Sequence, residues 1–164
     1  MLVIESRCPP QERHDAELVL PFELRQKSRL RTSAVTGEEV GLFLDHGSIL
    51  RGGDYLRAND GRVVLVVAAA EALMQAACES HIALVRAAYH LGNRHVPVQI
   101  GESWLRFQAD EVLAQMLRGL KATITALSAP FEPEAGAYAG GHHHHSGEAR
   151  HSGIIHEFKN YQKH

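Results

Sequence analysis

The chain has 164 residues, with 17 Lys and Arg against 19 Asp and Glu and 45% hydrophobic residues, the balance of a globular protein able to bury a core. A formal charge of −2 excludes the basic stripe that nucleic-acid binding normally requires. Cys8 and Cys78 stand alone with no CxxC, which excludes a cysteine zinc finger or a disulfide framework and suits a reducing compartment.

The opening MLVIESRCPP is interrupted by Glu5 and Arg7 too early for a signal peptide. The most apolar run, residues 63–78, is broken by Glu71 and Gln75 and falls short of the roughly 20 residues a spanning helix needs. A cytoplasmic location without membrane contact is therefore expected. Over residues 1–69, Val40, Leu42 and Leu44 alternate imperfectly with Glu39, Gly41, Phe43 and Asp45, the period of a strand. Turn chemistry recurs at Thr36-Gly37, His46-Gly47, Arg51-Gly52-Gly53-Asp54 and Asn59-Asp60-Gly61. Residues 62–67 read as a buried strand, and strands at this spacing with no helix between them predict a small all-β sandwich or barrel.

Residues 68–78, AAAEALMQAAC, carry helical propensity but stand where an opening strand would complete a β-α-β-β-α-β unit, and are read as that strand. Ser80 is a suitable N-cap for a helix in which Ile82, Val85, Ala88 and Tyr89 recur at helical spacing up to a stop at Gly92. Val96, Val98 and Ile100 alternate as a strand, and residues 104–107 form another after a turn at Gly101 and Glu102. Asp110 caps a second helix with Val112, Leu113, Met116, Leu117 and Leu120 on one face, and residues 121–127 return as a strand. Beyond Pro130 few apolar residues remain to oppose the entropy of ordering, which predicts a mobile tail from about residue 138.

Histidine is the compositional outlier. Of 12 in all, His142, His143, His144, His145, His151, His156 and His164 lie within residues 142–164. Four consecutive imidazoles, each with two polar nitrogens, cannot form a packed element. They are solvated or bound to metal: in an extended chain His142 pairs with His144 and His143 with His145, a loose array suited to nickel, zinc or copper. The bland alternative is a purification tag, against which the run is only four long and the chain continues to His164. A second group is Tyr89-His90-Leu91-Gly92-Asn93-Arg94-His95, with His90 in the last helical turn and His95 where the chain leaves for the next strand. By spacing alone, a helix C-cap with one hydrogen-bonded histidine is favoured over a metal pair. His14, His46 and His81 receive the same structural reading.

Residues 87–100, AAYHLGNRHVPVQI, then LAQMLRGL at 113–120, PFEPEAGAY at 130–138 and the histidine-rich terminus closely resemble the UreE family of urease accessory proteins, and RLRTSAVTGEEVGLFL at 29–44 resembles its N-terminal part. The resemblance implies an α+β protein in three parts: a small β domain over 1–69 that binds peptide or partner, a ferredoxin-like metal-binding and dimerisation domain over 70–137, and a flexible histidine-rich tail over 138–164. It implies a nickel metallochaperone that is not an enzyme, a homodimer working with urease apoprotein and the accessory GTPase complex of urease assembly. In that family the last histidine of GNRH, here His95, lies at the two-fold axis, where its two copies share one nickel; His90 is a secondary candidate. Two nitrogens are too few for tight binding, so His90, tail histidines or water would complete an open shell suited to handover. Some relatives carry histidines just before the second helix; here Phe107-Gln108-Ala109-Asp110-Glu111 offers none, and no extra internal site is expected.

No GxxxxGK[ST] phosphate cradle is present, so nucleotide hydrolysis would fall to a partner. A metal-dependent hydrolase would be the odd outcome, since HExxH is absent and His156-Glu157 continues as Phe158-Lys159-Asn160. A histidine-rich metal store would depend wholly on residues 140–164, whereas delivery would partly survive their loss. Imidazoles do not identify their ion, copper ranking above nickel with zinc close by. Nickel rests on the resemblance.

Overall fold

The computed structural model describes residues 1–135. The expected tail, with its seven histidines, lies outside the described residues. Six strands, β1 (Leu2–Cys8), β2 (Ala16–Leu20), β3 (Arg29–Ser33), β4 (Glu39–Phe43), β5 (Tyr55–Ala58) and β6 (Val63–Ala68), form one mixed sheet in the order β2-β6-β5-β1-β4-β3. Alternate residues point inward, and Leu2, Ile4, Leu18, Leu20, Val40, Leu42, Leu56, Val64 and Val66 make one buried cluster. Just past β3, the Val35 N–H donates to Glu17 O of β2 at 3.0 Å. The two sheet edges therefore meet at one corner, and the expected sandwich or barrel resolves as a single rolled sheet.

One expectation for this region needs correcting. It is not free of helix: α1 (Phe22–Arg25) follows β2 directly, with the Leu24 and Arg25 N–H groups both donating to Pro21 O at 3.1 Å. A single turn is too short for periodicity to register.

The second half runs β7 (Ala70–Ala77), α2 (His81–Gly92), β8 (Gln99–Ile100), β9 (Trp104–Gln108), α3 (Glu111–Gly119) and β10 (Thr123–Pro130), with an antiparallel sheet in the order β10-β7-β9-β8. β7 pairs along its whole length with β10, from Ala77↔Thr123 to Ala70↔Pro130, and with β9 on its other side. Ladder bonds on both edges outweigh helix preferences of a few tenths of a kcal/mol per residue, so this alanine-rich segment is the strand its place in the unit required. Both expected N-caps form: Ser80 Oγ accepts from the Ala83 N–H at 3.3 Å and Asp110 Oδ1 from the Leu113 N–H at 3.0 Å. The strand expected from Val96 shrinks to two residues, because Pro97 has no N–H to give and Val96 and Val98 pack against the core beneath α2. The last strand starts later than expected, at Thr123, since Lys121 ends α3 with φ 69°.

Helices α2 and α3 cover one face of this sheet, burying Ala76, Ala87, Leu91, Leu105, Phe107 and Leu117. The other face carries Leu73 against Phe22 and Phe131. Here the expectation that little beyond Pro130 would be buried is overturned: Phe131 is fully buried, edge-on to Phe22 with ring centroids 5.5 Å apart. Residues 131–134 then cross to the opposite sheet edge, where the Glu132 N–H donates to Gln99 Oε1 (3.2 Å) and the Glu134 N–H to Val98 O (2.8 Å). One aromatic side chain and two backbone donors suffice to order this strap. Among the described residues no helix is long and apolar enough to cross a membrane.

Candidate metal centre

The C-terminal end of α2 carries both candidate ligands of the described residues, His90 and His95. Gly92, expected to stop the helix, is its last residue but does not adopt the left-handed conformation; His95 does, at φ 54°. The Val96 N–H donates to Leu91 O (3.3 Å) and the His95 N–H to Gly92 O (2.9 Å), the paired bonds of a Schellman closure with His95 in the position glycine usually fills. Leu91 and Val96 supply the apolar contact that accompanies it. α3 ends the same way, with Lys121 left-handed, Ala122 N–H to Leu117 O and Lys121 N–H to Arg118 O. Holding a β-carbon in this conformation costs about 1 kcal/mol, although histidine tolerates it better than most residues.

His95 is exposed at the tip of this closure. His90, half-buried one turn earlier, stacks edge-on against Tyr89 with centroids 5.4 Å apart, and its carbonyl accepts from Arg94 Nη1 at 3.1 Å. The fold thus places both sequence-nominated histidines at one helix end, while His142, His143, His144, His145, His151, His156 and His164 lie outside the described residues. Among the described residues no group of three or more His, Cys, Asp or Glu could hold a metal. Of the remaining histidines, His14 pairs with Glu17 Oε1 at 3.0 Å and His46 and His81 are exposed. Cys78 is buried, which raises its thiol pKa and disfavours the thiolate a metal needs.

Helical spacing leaves open which face of α2 turns inward. Ala87 and Leu91 are buried with Ala83, Leu84 and Ala88 around them, whereas Ile82, Val85 and Tyr89 are 60%, 61% and 63% exposed. Both sets recur at helical spacing, so periodicity could not choose between them. The larger side chains make an apolar stripe that runs to the helix end beside His90 and His95.

Family models agree over both halves: residues 4–69 match the UreE urease accessory protein N-terminal domain and residues 71–159 the UreE urease accessory protein C-terminal domain. The chain is 54% identical over 162 residues to a urease accessory protein UreE of Ectopseudomonas mendocina, covering 96% of this chain and 98% of that one. It is 57% identical over 145 residues to the protein of that name from Pseudomonas savastanoi pv. phaseolicola, covering 88% and 87%. The Azotobacter vinelandii protein is 54% identical over 154 residues, covering 93% of each.

Proposed function

Since the chain belongs to the UreE family of urease accessory proteins, we propose that it is a nickel carrier that hands the ion to urease while the enzyme's active site is assembled, and that it catalyses no reaction itself. The observation that carries this reading is His95, an exposed imidazole held in a backbone conformation that glycine would adopt at lower cost. Strain of this kind gathers at functional sites.

One imidazole cannot hold a divalent ion, and a second copy of the chain supplies the next. The stripe of Ile82, Val85 and Tyr89 leads to the His95 end of α2, and burying it against its own image across a two-fold axis would bring the two His95 side chains together. Each subunit then gives one nitrogen to a shared nickel. His90, tail histidines (His142, His143, His144, His145, His151, His156 or His164) or water fill the remaining positions. A shell with so few fixed ligands exchanges its ion more readily than a closed one, as delivery demands. Zinc and copper bind imidazole too.

We read residues 70–137 as a ferredoxin-like metal-binding and dimerisation domain, supported by the β-α-β-β-α-β order and the sheet order β10-β7-β9-β8. Residues 1–69 are read as the domain that receives a peptide or partner, supported by an open groove of about 380 Å³ lined by Met1, Arg29, Arg31, Gly41 and Phe43. Residues 138–164 are read as a histidine reservoir, supported by their seven histidines. The partners are urease apoprotein and the accessory GTPase complex, and the setting is the cytoplasm, which the two free thiols suit. The test is urease activation in cells whose own copy is replaced by His95→Ala: urease activity falls at limiting nickel and returns with excess nickel. Full activity of the variant at limiting nickel contradicts the reading.

A further inference from the structure

The strap of residues 131–134 is fastened to the β domain through one carboxylate. Glu132 accepts from Arg25 Nη1 (2.9 Å), Arg51 Nη1 (3.0 Å) and the Gly52 N–H (2.8 Å), and Arg51 Nη1 also donates to Pro133 O (2.7 Å). Arg25 is fully buried: its guanidinium lies over the Phe22 ring and donates to Leu20 O, Leu50 O, Phe131 O and Glu132. Gly52 leaves the room required, since a β-carbon there would stand 3.1 Å from Glu132 Oε1 and 3.2 Å from the Ala68 β-carbon. A cation withdrawn so fully from water is strongly tied to its partner, because losing that partner strands an unpaired buried charge.

The other end of the strap reaches the metal loop. Residues 93–98, which include His95, are held at their start by the Schellman closure on α2. Toward their far end the supports are Val96 and Val98 packed against the core, β8, only two residues long, and the strap, through Glu134 N–H to Val98 O and Glu132 N–H to Gln99 Oε1.

We infer that Arg25, Arg51 and Glu132 form an inter-domain clasp that positions His95 for its ion, so that the β domain sets the geometry of a site it does not touch. The inference rests on the nickel site proposed above. All three are positioning residues that act through the strap backbone.

The test uses the full chain with Glu132→Gln and Arg51→Met, which loosen the clasp and leave buried Arg25 in place. Nickel at the tightest site is expected to bind roughly three- to tenfold more weakly, at or below the lower end of what groups behind a metal ligand contribute. Its stoichiometry stays unchanged, and amide exchange quickens across residues 96–100. Arg51→Lys, which keeps the charge, recovers part of the affinity. Ile4→Ala, a cavity in the β-domain core away from the strap, lowers stability and leaves nickel affinity at the parental value. Loss of the tightest site in His95→Ala with parental affinity in both clasp variants overturns the clasp alone, as does an Ile4→Ala variant that weakens nickel equally. A tightest site indifferent to His95→Ala overturns the clasp and the proposed nickel site together.

Discussion

His95 and Glu132 show how single residues bear costs that their surroundings must offset. At His95 the cost is backbone strain, and it separates two substitutions that remove the same imidazole. His95→Gly relieves the left-handed backbone and should stabilise the chain by about 1 kcal/mol, raising Tm by roughly 2–4 °C, whereas His95→Ala keeps the strain and should not. Calorimetric melts of the metal-free proteins check this, and equal Tm values for the two variants would contradict the assignment of strain. At Glu132 burial alone would raise the carboxyl pKa, but the Gly52 N–H and the Arg51 and Arg25 guanidiniums outweigh it and hold it below its ordinary value of 4.5. A carboxylate depressed in the folded state adds stability that is complete above its unfolded value and drains away as pH falls through its folded value. Wild type should therefore lose more stability than Glu132→Gln as melts are taken from about pH 5 downward. Parallel losses in the two proteins would show that Glu132 is not the group titrating.

Among the elements, α2 carries the sharpest expectation. Ile82, Val85 and Tyr89 are too exposed to support the monomer's own core, so Val85→Glu should convert a dimer to a folded monomer, lowering Tm only by the stabilisation that association supplied. Light scattering beside a size-exclusion column decides it: a wild type that is monomeric at assay concentration, or a variant that stays dimeric, removes the stripe from the interface. The same helix marks where sequence reading stopped. Its start was legible because Ser80 offers a specific chemical cap, and β7 was legible because the unit around it needed a strand. Its end at Gly92 was legible too, but not the means of closure, which depends on the pairing of Val96 with Leu91 and a left-handed His95 and not on glycine. The strap was missed for a related reason: composition counts apolar residues, and one well-placed Phe131 escapes such a count. Arg25 gave no local signal of burial, because its partner Glu132 lies on the far side of the sequence and only the tertiary fold brings the two together. His90 and His95 were nominated through the family motif, and spacing alone favoured an ordinary helix end.

Taken whole, the molecule joins a rolled β domain to an α+β domain through Phe22, Phe131, the Arg25–Glu132 pair and the bond from Phe22 N–H to Glu71 Oε1 at 2.7 Å. To this frame the histidine-rich terminus should add capacity. Replacing His142, His143, His144 and His145 with alanine should lower the number of nickel ions bound while leaving the tightest one and part of urease activation in place. Loss of the tightest ion as well would favour a storage protein whose site lies in the tail. Whether symmetry sets two copies of His95 on one ion is tested most directly by nickel titration calorimetry on wild type and His95→Ala with the dimer concentration known. The expected result is a tightest class of one nickel per two chains that vanishes in the variant. One nickel per chain in that class, or an undiminished class in His95→Ala, would contradict the shared site.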